Sequence, residues 1–138
     1  PSVATIANAM DVGDPSNFAR ILDLYGRSLE AIRADISAAR YDDEQICRAI
    51  AETLERTGYL LDPHGACGYL ALREGLREDE TGVFLETAHP AKFRDRVEPV
   101  IGRSIEIPAR LAEFMRGKKL SVELPADFGA FRDFLMAR

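Results

Sequence analysis

The sequence predicts an α/β fold: a small, mainly parallel sheet flanked by helices, with helix well in excess of strand. Three observations predict it. Apolar residues recur at helical spacing in the segments 15–25, 43–57, 63–76, 90–101 and 126–137. Short apolar runs fall between them at 3–7, 83–86 and 105–107, and strands separated by helices imply crossovers and parallel pairing. The composition, 46% hydrophobic and 30% charged over 138 residues, is that of one globular unit able to bury a core.

Each element has its own reasons. Asp14 and Pro15 suit a helix start, and Phe18, Ile21, Leu22, Tyr25 and Leu29 then form one apolar stripe, which Gly26 can break in two. The helix 43–57 is the best defined. Asp42 and Gln45 make a capping-box pattern, with Tyr41 and Ile46 placed as a hydrophobic staple. Ile46, Ala49, Ile50 and Leu54 form its expected buried face, and Gly58 is its stop signal. Asp62-Pro63 restarts a helix that reads PHGACGYLALREGL. Each glycine in it costs roughly 1 kcal/mol relative to Ala. Gly65 and Gly68 therefore point to a helix start with little bulk, open to close approach. Val83-Phe84-Leu85 reads as a buried strand. Pro90 opens the next helix, which Pro99 should kink or split. Residues 109–116 and the stripe Phe128, Phe131, Phe134 and Leu135 complete the helical set. The whole of 1–138 is expected to be a single unit, with 103–138 as a helical tail.

Charge and cysteine usage exclude several function classes. Eighteen basic against 23 acidic residues give a net charge of −5, the wrong sign for a general nucleic-acid binder. No apolar run approaches the roughly 18–20 residues that span a bilayer. The start, PSVATIANAMDVG, has neither the basic nor the long apolar part of a signal peptide. Two cysteines, Cys47 and Cys67, are too few for a disulfide scaffold, so a cytoplasmic location is expected.

Candidate chemistry is sparse. His64 and Cys67 lie three apart with no second pair, so no metal site is expected. Ser16 sits outside any nucleophile elbow, and Cys67 sits on an apolar helix, where a thiol acts as a small hydrophobe. No phosphate-binding glycine motif is present. Two helix starts could hold an anion, one with Arg20 a turn in and one with Lys92 in its first turn. The turn Glu86-Thr87-Ala88-His89-Pro90-Ala91-Lys92 brings a hydroxyl, an imidazole and an ammonium to the end of a strand. The structural alternative is that Thr87 ends the strand, His89 caps the helix and Lys92 is solvated.

Three blocks carry a family resemblance: ANAMDVGDPSNFARILDLYG, GYLLDPHGACGYLAL and FLETAHPAKFRDRVEPVIG. In their order and spacing they resemble the C-terminal third of bacterial threonine synthases, and they span most of 1–102. The resemblance implies the C-terminal part of a fold type II pyridoxal-phosphate enzyme, which converts O-phospho-L-homoserine and water to L-threonine and phosphate. It implies that Thr87 faces the cofactor's pyridine nitrogen, and that Asp11, Asn17, Arg20, His89 and Lys92 belong to the active-site wall or its support. It also implies that no catalytic residue lies in this chain. The lysine that binds the cofactor would precede Pro1, because Lys92, Lys118 and Lys119 do not match its context. The missing N-terminal part of the same protein is then the expected partner, and the chain alone is expected to be inactive. A sibling pyridoxal-phosphate lyase or dehydratase, or a non-catalytic α/β interaction module, are the alternative readings.

Overall fold

The computed structural model describes residues 3–8 and 14–137. They form seven α-helices: α1 (Phe18–Leu24), α2 (Leu29–Asp35), α3 (Asp43–Thr57), α4 (Pro63–Gly75), α5 (Arg94–Ile101), α6 (Ala109–Met115) and α7 (Phe128–Met136). A 3-10 turn, Pro90–Phe93, leads directly into α5. The chain divides into two compact units, Pro1–Glu106 and Ile107–Arg138.

Local chemistry explains the helix limits. Gly26 and Arg27 both take left-handed φ, +55° and +61°, so the predicted break between α1 and α2 is real. Ser28 then caps α2, its hydroxyl accepting from the Ala31 N–H. The capping box of α3 forms as expected: Gln45 N–H donates to Asp42 at 2.8 Å, and Asp42 N–H donates to Gln45 at 3.0 Å. Gly58 closes α3 at φ +74°. The buried face of α3 is Ile46, Ala49, Ile50 and Thr53, so Thr53 takes the place expected of Leu54. Pro99 does not split α5, which runs on to Ile101. The break falls earlier, where the 3-10 turn becomes α-helix at Arg94, and Pro99 deprives only the exposed Asp95 carbonyl of a partner.

The expected sheet does not form. No described residue belongs to a β ladder, and the described runs at 3–7, 83–86 and 105–107 are not paired strands. Side chains take over the backbone groups of two of them. The Ile6 N–H donates to Asp43 Oδ1 at 3.0 Å, and the Ile105 N–H donates to Glu98 Oε1 at 2.9 Å. The third, 82–88, keeps a strand's signature without a partner. Exposure alternates residue by residue from Gly82 to His89, so one side of the segment packs inward and the other faces out.

The core lies within the first unit. Ile46, Ala49 and Ile50 of α3 meet Ala66 and Leu70 of α4, with Leu61, Phe93, Val97, Ile6 and Ile105 closing around them. Phe84 and Ala88, on the inward side of the extended segment, pack against this cluster.

Candidate functional site

The site is built on the first turn of α4. Asp62 is its N-cap and is fully buried. Its Oδ1 accepts from the His64 backbone N–H at 2.9 Å and lies 3.2 Å from His64 Nδ1. Pro63 occupies the first helical position, where its missing N–H costs nothing. The His64 ring leans on Phe93, centroids 5.3 Å apart, which ties the turn 90–93 to the α4 start.

The extended segment crosses this turn. Phe84 and Glu86 point inward and Thr87 points out. The Tyr69 and Phe84 rings meet edge-on at 5.8 Å. The Glu86 carboxyl lies on the backbone of Gly65, in the space that a Cβ would fill. Gly65 therefore is a position of close approach. Gly68 is less so: a Cβ there would meet Phe84 at 3.7 Å, an ordinary contact.

Two carboxyls thus meet in the interior. Asp62 Oδ2 and Glu86 Oε1 are both buried, and no N–H or hydroxyl of another described residue donates to either. Burial, then the hydrogen bond and charge of Asp62, push the Glu86 carboxyl up to about 8. Burial works to raise Asp62 as well. The hydrogen bonds from Glu86 and from His64 outweigh it and hold Asp62 below its ordinary value. Both free thiols, Cys47 and Cys67, are pushed up by burial, the opposite of what an activated nucleophile needs.

The remaining candidates are spread out. Thr87 is exposed at the end of the extended segment, and its hydroxyl has no hydrogen-bond partner among the described residues. His89 caps the 3-10 turn, its Nδ1 accepting from the Ala91 N–H at 3.1 Å. The neutral ring therefore carries its proton on Nε2. His89 also borders a cavity of about 510 Å³ with Tyr59, Leu60, Arg103, Ser104 and Glu106. The Lys92 ammonium lies over the Phe93 ring, 5.9 Å from its centroid. Asn17 precedes α1 without capping it, and Arg20 lies on the exposed side of α1. Asp11 falls outside the described residues. Thr87, His89 and Lys92 thus lie close together in the chain, whereas Asn17 and Arg20 lie at and within the start of α1.

The family model described as "Threonine synthase, C-terminal" matches residues 65–135, just over half of the chain. The chain belongs to the threonine synthase C-terminal family. It is 42% identical over 133 residues to threonine synthase from Escherichia coli K12, covering 96% of this chain and 31% of that protein. It is also 42% identical to threonine synthase from Serratia marcescens, covering 98% of this chain and 31% of the relative. Among solved structures, threonine synthase from Escherichia coli matches with TM-score 0.66 at 40% identity, covering 98% of this chain and 31% of that one. The crystal structure titled as pyridoxal-phosphate-bound threonine synthase from Brucella melitensis matches with TM-score 0.74 at 30% identity, covering 98% and 34%. The chain spans about a third of the length of the threonine synthases it matches.

The family match takes in Gly65, Glu86, Thr87, His89 and Lys92, and begins after Asn17 and Arg20. Sequence reasoning did not find the buried pair Asp62 and Glu86. The run GVFLETAH at 82–89 does not alternate polar with apolar residues, so the glycine-rich helix start was the only local sign of a close approach there.

Proposed function

We propose that this chain is the C-terminal portion of a threonine synthase, a pyridoxal-phosphate-dependent carbon–oxygen lyase of the cytoplasm. In this reading the whole protein converts O-phospho-L-homoserine and water to L-threonine and phosphate. The observation that carries it is the alignment of 96% of this chain with 31% of a threonine synthase at 42% identity. Among the described residues no helix is long and apolar enough to cross a membrane.

Thr87 fits one part of a pyridoxal-phosphate site. Its hydroxyl stands exposed at the end of a segment anchored on α4, with no hydrogen-bond partner among the described residues, and a hydroxyl can donate to an unprotonated ring nitrogen. Bound pyridoxal phosphate supplies the electron-withdrawing ring. With Thr87 donating, that ring nitrogen carries no proton of its own, whereas an Asp at this position would hold one there. Lys92 lies over Phe93, and Lys118 and Lys119 belong to the second unit. The lysine that carries the cofactor would come from the rest of the longer protein, with the phosphate-binding loop. His89, Lys92, Asn17, Arg20 and Asp11 are assigned to the wall of the substrate site or its support. His89 presents Nε2–H as a donor there, since its Nδ1 is used in capping.

The extended segment 83–86 is proposed to complete a mainly parallel sheet with strands outside this chain. Its alternating exposure supports this, as does the lack of backbone-to-backbone hydrogen bonds between 82 and 88 among the described residues. Residues 1–102 carry the family motifs, and 103–138 form a helical C-terminal tail.

The test is Thr87→Val in the full-length protein. Valine keeps the shape and removes the donor. Turnover of O-phospho-L-homoserine should fall and the cofactor's absorbance should shift. The unfolding free energy from urea titration should stay within about 0.5 kcal/mol of wild type, as for an exposed position away from the core. Unchanged turnover and spectrum would remove Thr87 from the cofactor site.

A further inference from the structure

Glu86 and Asp62 belong to no step of the proposed reaction, yet both are held in the interior at the start of α4. Asp62 is fully buried, with one oxygen satisfied by His64 and the other, Oδ2, without a donor. Glu86 Oε1 is likewise buried and without a donor. The Glu86 carboxyl is seated on Gly65, where any side chain would displace it. No lysine or arginine makes an ion pair with either carboxyl among the described residues. Two ionised carboxylates have only acceptors to offer each other, and a buried oxygen left unpaired costs on the order of 1–3 kcal/mol. One proton satisfies both oxygens at once, as an acid donating to a carboxylate.

We propose that Asp62 and Glu86 share a single proton, and that this proton is the clasp that holds segment 82–88 on α4 and sets the position of Thr87. Glu86 is then a positioning residue for the hydroxyl that follows it. That last step rests on the reading of Thr87 as the ring-nitrogen partner, whereas the clasp itself does not. The direction of the Glu86 shift agrees: burial and the Asp62 charge favour its protonated form up to about 8. The titratable groups that face the pair are Tyr59, His64 and Cys67. Strand alternation links clasp to site. Glu86 turned inward turns Thr87 outward, and a one-residue slip would bury the hydroxyl.

The sign of the pH dependence follows. Opening the segment exposes Glu86 to water, where its value returns to about 4.5. Between about 4.5 and about 8 the closed form binds one proton more than the open form. Raising the pH through this window therefore favours opening by about tenfold per unit, with a plateau above it.

The experiment follows amide exchange of the peptide spanning 82–88 by mass spectrometry, in the full-length protein. Wild type is compared with Glu86→Gln, whose amide can donate to Asp62 at any pH. Exchange in wild type should rise by about a further factor of ten per pH unit over Glu86→Gln, up to about pH 8, and then run parallel to it. Infrared difference spectra of wild type should show a protonated-carboxyl band at pH 7 that disappears above about pH 9. Equal pH slopes in the two proteins overturn the proposal, as does the absence of that band. Should Glu86→Gln fail to fold, the wild-type infrared titration decides. If both clasp signatures appear while Thr87→Val leaves turnover unchanged, the clasp stands and the ring-nitrogen reading falls.

Discussion

At Gly65 the absence of one carbon atom decides how two segments meet. A Cβ there would run into the Glu86 carboxyl, whereas a Cβ at Gly68 would meet Phe84 at 3.7 Å. Neither glycine has a left-handed φ, so conformational freedom is not the reason for either. Alanine is the better helix former by about 1 kcal/mol at both positions. At Gly68 little opposes that gain, so Gly68→Ala should hold or raise the urea midpoint. At Gly65 the gain competes with overpacking, which costs about 1–3 kcal/mol in a filled interior. Gly65→Ala should lower the midpoint and detach Glu86 from its seat. Parallel urea titrations of the two variants check this, and a midpoint for Gly65→Ala at or above that of Gly68→Ala would remove the close-approach argument. The sequence marked both glycines alike. Only the path of the chain 21 positions later separates them, and nothing local to PHGACG carries that information.

At the scale of elements, what could be read from the sequence was whatever is settled within one or two turns. The capping box of α3, the break at Gly26 and the helix start at Asp62-Pro63 each depend on residues a few positions apart, and each formed where expected. The strands failed because a ladder needs a second chain segment, and hydrophobicity at 105–107 does not say what its N–H groups will meet. Here the partner is a side chain. Glu98 Oε1 accepts from the Ile105 N–H and from Arg94 Nε, both at 2.9 Å, so one carboxylate joins α5 to the segment that follows it. The Ile105 N–H first, and then Arg94, hold that carboxyl below its ordinary value of 4.5. A carboxyl lowered on folding contributes stability above its unfolded value and loses it as the pH falls. The urea midpoint of wild type should therefore decline as the pH drops below about 4.5. Glu98→Gln should start lower at neutral pH and decline less over the same range. Equal declines in the two proteins would show that the junction does not depend on the charge of Glu98.

At the scale of the molecule, the two units differ in what holds them together. Every described core residue lies between Ile6 and Ile105, and no described residue from 107 onward is buried. In the second unit Phe114, Leu120, Phe128 and Met136 are all at least three-quarters exposed. Its helices, of seven and nine residues, fall below the roughly 12–15 residues at which an isolated helix is even marginal in water. Asp127 caps α7, but a cap is worth only about 1 kcal/mol and cannot offset the cost of nucleation. The stability of the chain should therefore reside in its first unit. A protein ending at Glu106 should unfold cooperatively, with a midpoint within about 4–8 °C of the full chain, the shift that 1 kcal/mol produces in a domain of this size. A peptide of residues 107–138 should show little helical signal in far-UV circular dichroism. If truncation at Glu106 instead abolishes the cooperative transition, the second unit contributes to the core in a way that the burial of its side chains does not reveal.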